Sequence, residues 1–117
     1  MSDTVENKRL IRDVVSLISK KFSTNFHEVS IIGNLNGRKY HGVSEEKDMC
    51  IFVCTNSLIE GKIKAGQRSA IFEKCYWLSI GKHNSKILIF TDEGFHNKFL
   101  DEYSDYLCGI ETMYFMI

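Results

Sequence analysis

The sequence predicts an α/β (α+β) domain: a mixed β-sheet flanked by helices. Three observations predict it. The chain opens with apolar residues at helical spacing. Short apolar runs around an Asn-Gly pair then read as a strand meander. After residue 66, helical and strand-like segments alternate, so a later strand must join the sheet across a helix. With 117 residues the chain forms a single domain, 1–117, large enough to bury a core without staples.

Taken in order, Asp3 followed by Glu6 resembles a capping box. Behind it Leu10, Ile11, Val14, Val15, Ile18 and Phe22 recur on one face, predicting a helix over 4–21 whose outer face carries Lys8, Arg9, Arg12, Lys20 and Lys21. EVSIIGNL and RKYHGV flank Asn36-Gly37, a strong hairpin signal because both residues tolerate positive φ. DMCIFVC is a dense apolar strand. TNS reads as a turn and LIEGKIK as the strand that follows it. Beyond Gly66, Ile71, Cys75 and Leu78 predict a second helix ending at Gly81. KILIFTD is a buried strand, DEGFHNKFLDEYSDYL a third helix with Asp92 as its cap, and ETMYFMI a final strand.

Composition excludes several classes. Lys plus Arg equals Asp plus Glu at 15 each, so no overall basic excess announces nucleic acid, although a local patch remains compatible with neutrality. The polar MSDTVENKRL start has no signal-peptide character, and MCIFVC and ILIF are far too short to span a bilayer, which together predict an intracellular protein without a membrane partner. Cys50 and Cys54 would lie roughly 13 Å apart on a strand at about 3.3 Å per residue, too far to chelate one ion. With no CxxC spacing, Cys50, Cys54, Cys75 and Cys108 read as buried, reduced thiols. His27, His41, His83 and His96 show no HxH or HExxH spacing and read as surface or turn residues; His41, close before the Asp48 segment, is placed to line a cleft.

The stretch LIEGKIKAGQR, 58–68, carries the sharpest chemistry. On a strand, Ile59, Gly61 and Ile63 share one face while Glu60, Lys62 and Lys64 share the other. Asp48 opens the preceding strand, with Glu45 or Glu46 able to stand in for it. Two carboxylates can hold Mg²⁺, which polarises a phosphoryl oxygen and lowers the pKa of bound water; a nearby lysine orients that water or neutralises transition-state charge. The plainer reading is a salt bridge on an exposed face.

Asp48, then Glu60-Gly61-Lys62, then a helix opening at Gln67-Arg68, resembles the PD-(D/E)xK nuclease superfamily, which includes type II restriction enzymes and archaeal Holliday-junction resolvases. The resemblance covers about residues 4–91. It implies a restriction endonuclease-like core and a Mg²⁺-dependent DNA endonuclease, with Mn²⁺ as substitute metal. Asp48 and Glu60 would be the metal ligands, Lys62 the catalytic lysine, and Glu6 and Gln67 accessory positions. No proline precedes Asp48, and glycine between Glu60 and Lys62 departs from the usual apolar residue. Arg38, Lys39, Lys64 and Arg68, with Lys82 and Lys86, are the candidate DNA phosphate contacts. A nuclease of this size would act as a homodimer, with the Trp77 helix as its interface. Two other readings stand beside it. One is a non-enzymatic α/β module, a degenerate nuclease fold binding nucleic acid or protein, which a solvent-exposed Glu60 far from other carboxylates would favour. The other is a small ligand- or phosphate-binding signalling module using Asp92 at the end of its strand.

Overall fold

The computed structural model describes residues 5–31 and 38–116. Helix α1 (Val5–Phe22) precedes strands β1 (Phe26–Ser30), β2 (Lys39–Ser44) and β3 (Met49–Cys54); then come α2 (Ala65–Ile80), β4 (Ser85–Phe90), α3 (Glu93–Tyr103) and β5 (Glu111–Tyr114). The five strands form one mixed sheet in the order β1-β2-β3-β4-β5. β1, β2 and β3 make an antiparallel meander; β3, β4 and β5 run parallel, joined through α2 and α3. This is the α+β architecture expected. The expected Asn36-Gly37 turn and Asp3 cap lie outside the described residues; the N–H of Ile31 donates to the Arg38 carbonyl at 3.1 Å.

MCIFVC and ILIF become the two central strands because a strand apolar at every position has no face to give to water. β3 and β4 pair without interruption from Met49↔Ser85 to Cys54↔Phe90. Their alternate residues feed two cores. Ile51, Val53, Ile87 and Ile89 meet Val14 and Ile18 of α1, all at most 3% exposed. Cys50, Phe52, Cys54, Leu88 and Phe90 meet Ile71, Cys75 and Leu78 of α2 and Phe95 and Phe99 of α3. The result is three layers, with α1 on one face of the sheet and α2 and α3 on the other.

Helix ends follow local chemistry. α1 closes through Ser23, whose φ of 55° lets the N–H groups of Ser23 and Thr24 reach the Lys20 and Ser19 carbonyls. The Asp92 carboxylate accepts from the Phe95 N–H at 2.8 Å, capping α3 as expected. Gly81 ends α2 without the left-handed conformation, since its φ is −71°. Its smallness answers a close approach instead: a Cβ there would meet His83 Nδ1 at 2.8 Å and the Tyr40 hydroxyl at 2.9 Å.

One predicted element is absent. Residues 58–64 are not a strand, and the hairpin partner of β3 is β2, joined to it through residues 45–48. The N–H and carbonyl of Ile59 exchange bonds with those of Lys62 at 2.9 and 3.0 Å, around Glu60 at φ 53° and Gly61 at φ 73°. Positive φ at both central residues marks a tight turn of the primed kind. The alternation read as a strand was two isoleucines on either side of this turn. Gln67 then ties the turn to α2: its Oε1 accepts from the Lys64 N–H at 2.9 Å and its Nε2 donates to the Ser57 carbonyl at 2.8 Å.

Candidate functional site

Loss of that strand disperses the predicted metal site. Asp48 sits exposed just before β3, where its carbonyl accepts from the Ser85 N–H at 2.9 Å. Glu60 and Lys62 lie in the turn beyond the other end of β3, both exposed. Six strand residues at about 3.3 Å each put roughly 20 Å between the two ends. Mg²⁺ binds its ligands at about 2.0–2.1 Å, so Asp48 and Glu60 cannot share an ion in this arrangement. Glu45 and Glu46 lie on the Asp48 side, where Glu46 accepts from the Thr24 hydroxyl at 2.9 Å. Among the described residues no group of three His, Cys, Asp or Glu side chains could hold a metal ion. The residues do not fit the Mg²⁺ centre that the resemblance implies.

The remaining candidates also have specific places. The Glu60 side chain, 82% exposed, pairs with Lys64 Nζ at 3.4 Å. Arg38 pairs with Glu73 at 3.1 Å, and Arg68 donates to the Tyr103 hydroxyl at 3.3 Å. Lys39 is exposed at the start of β2, and Glu6 is exposed in the first turn of α1. Lys86 Nζ donates to the Ser79 carbonyl at 3.2 Å. Both polar ends of Gln67 serve the turn, as described above. On the predicted dimer face Trp77 is half-buried against the core, and its neighbour Tyr76 is the exposed ring.

What the structure does assemble is a cleft of about 610 Å³ at the carboxyl end of β3. Open sheets with parallel strands bind ligands at that end. Asn7 and Ile11 of α1 form one wall; Gly66, Gln67, Ala70 and Lys74 of α2 form the opposite one. Between them lie His41, Val53 and Cys54 of the sheet, then Thr55, Asn56 and Ile59. None of these described lining residues carries a carboxylate.

The local backbone explains why a cleft opens here. β2 and β3 pair directly only through Gly42↔Ile51 and Val43↔Cys50. Beyond that point the His41 side chain replaces the ladder, its Nδ1 accepting from the Val53 N–H at 2.8 Å. An acceptor Nδ1 leaves the ring proton on Nε2, so this bond requires the neutral imidazole. Gly42 has no side chain because a Cβ would press within 3.1 Å of Ile51 and Phe26.

Electrostatically the cleft favours anions. Lys74 makes no ion pair among the described residues; burial pushes the Cys54 thiol up to about 12 even though the nearby Lys74 charge pulls it down. Burial likewise pushes Cys50 and Cys75 up to about 11, so these are inert core thiols, whereas Cys108 is exposed. The cleft leads into two shallower hollows of about 540 and 650 Å³ along α1. Ile11 and His41 line both the cleft and the first hollow; Arg12, Val15, Phe26 and His27 line both hollows. Together they form one groove bearing Lys8, Arg12 and Lys20, with Glu28, Glu45 and Glu46 on its far side.

The sequence placed His41 at a cleft and basic residues along the outer face of α1. Asn7, Thr55, Asn56 and Lys74 were not legible there, because they come from three separate segments and share no motif. Among the described residues no helix is long and apolar enough to cross a membrane. Comparisons with protein-family models, with curated proteins and with solved structures each return no match to this chain.

Proposed function

We propose that this protein is a non-catalytic α+β module that binds DNA along α1, a nuclease-like order of elements without a metal-dependent active site. One observation carries the reading. The groove and cleft gather Lys8, Arg12, Lys20 and Lys74, while the acids needed for metal chemistry stand at opposite ends of β3. Lysine and arginine along a groove neutralise phosphates and release counterions, which suits backbone binding in a protein of zero net charge. The homodimer was expected from the small size of a nuclease that presents two sites to two strands; a module that only binds the backbone along one groove needs no second site.

The test is fluorescence anisotropy of labelled duplex and branched DNA, with plasmid cleavage in Mg²⁺ run alongside. Binding should weaken as salt rises, and Lys8→Ala with Arg12→Ala should lower the salt slope by about two, one for each lost phosphate contact. Metal-dependent cutting that disappears in both Glu60→Ala and Lys62→Ala would overturn the proposal in favour of the endonuclease.

A further inference from the structure

The groove along α1 ends at the cleft, where α2 and the Ile59–Lys62 turn close the way forward. A strand lying in the groove would therefore meet this cleft with its end. Every polar side chain there can donate a hydrogen bond. The side chains of Thr55 and Asn56 have no hydrogen-bond partner among the described residues, and Lys74 has no ion pair there; all three are half-buried. Gly66 leaves the first turn of α2 open on this side, since a Cβ there would meet nothing within 4 Å.

Resting on the DNA-binding reading above, we propose that this cleft seats a terminal phosphate monoester of the bound strand, held by Lys74, Thr55 and Asn56. The chemistry separates such an end from the rest of the backbone. A monoester carries a charge of about −1.5 to −2 near pH 7 and three terminal oxygens, more than an internal diester offers. The ammonium of Lys74 supplies charge-assisted bonds, and the hydroxyl and amide satisfy the remaining oxygens. Gln67 takes no part, because its amide is held by Lys64 and Ser57. The volume, about 610 Å³, suits one terminal nucleotide rather than a duplex.

The experiment compares one oligonucleotide in three forms, 5′-phosphorylated, 3′-phosphorylated and hydroxyl-ended, bound to the full chain by anisotropy. Wild type should bind one phosphorylated form roughly tenfold more tightly than the hydroxyl form. Millimolar inorganic phosphate should erase that advantage. Lys74→Ala should bring the ratio to within about twofold, the phosphorylated form losing far more affinity than the hydroxyl-ended form. Gly66→Asp should do the same, because it places a carboxylate in the cleft at a helix start where an acid favours folding. Equal binding of all three forms by wild type would overturn this inference and leave the DNA-binding reading intact. No binding of any form by folded protein would remove both. A preference that survives in both variants, each shown folded by circular dichroism, would place the phosphate elsewhere and overturn it too.

Discussion

The Ile59–Lys62 turn makes opposite predictions from the strand it replaces, and Glu60 separates them. At φ 53° Glu60 sits in the left-handed region, which costs an L-residue other than glycine, asparagine or aspartate roughly 1–2 kcal/mol. Asparagine occupies that region readily and, before Gly61, completes the pair preferred in primed turns. Glu60→Asn also removes the pair with Lys64, whose side chains are 82% and 44% exposed, so screening leaves it worth at most a few tenths of a kcal/mol. The net expectation is a gain of about 0.5–1 kcal/mol, a rise of about 2–4 °C in Tm. Glu60→Val is the counterpart, expected to lose about 1 kcal/mol because a β-branched residue is strained at positive φ. Urea denaturation of the three proteins reads both. If valine stabilised and asparagine destabilised, residues 58–64 would be a strand and the argument that scatters Asp48 and Glu60 would fall with the turn.

Other expectations follow from single contacts. Asp92→Ala should cost about 1 kcal/mol in urea unfolding, because the Phe95 N–H loses its acceptor; an unchanged midpoint would mean that water replaces the cap. Gly81→Ala should cost about 1–3 kcal/mol, since the new methyl displaces His83 and the Tyr40 hydroxyl, which now donates to the Trp77 carbonyl at 2.7 Å. As the backbone φ there is ordinary, a neutral or stabilising result would show that the close approach relaxes freely. Stability should also fall as pH drops below about 6.5. Burial lowers the affinity of His83 for a proton, with Lys86 adding to the effect, and burial lowers that of His96 against the opposing charge of Glu93. The unfolded chain then binds protons first, so stability is present above the ordinary histidine pKa and is lost as pH falls toward the folded values. His83→Gln with His96→Gln should flatten the slope of urea midpoint against pH between about 5 and 7.

The sequence alone determined the elements whose periodicity is set by burial. The stripe from Leu10 to Phe22 had to face a sheet, and it does so with Val14 and Ile18 fully covered. MCIFVC and ILIF had to be enclosed on both faces, and their pairing in parallel followed from the helix between them. Asp92 announced its cap because a carboxylate before a helix acts over three residues. Such signals are local, and the chain carries them without a fold.

Tertiary structure decided the rest. Glu60-Gly61 fits a strand or a turn, and the choice rested on whether β3 found its antiparallel partner behind it or ahead of it. Once β2 took one edge of β3 and β4 the other, residues 58–64 had no free edge of β3 to pair with. The same pairing sent Asp48 to one end of β3 and Glu60 to the other. The cleft was equally out of reach, because Asn7, His41, Asn56 and Lys74 are separated by up to 67 positions and meet only where β2 leaves β3. A turn is a local event, but its selection over a strand depends on hydrogen-bonding edges that exist only after the sheet has formed.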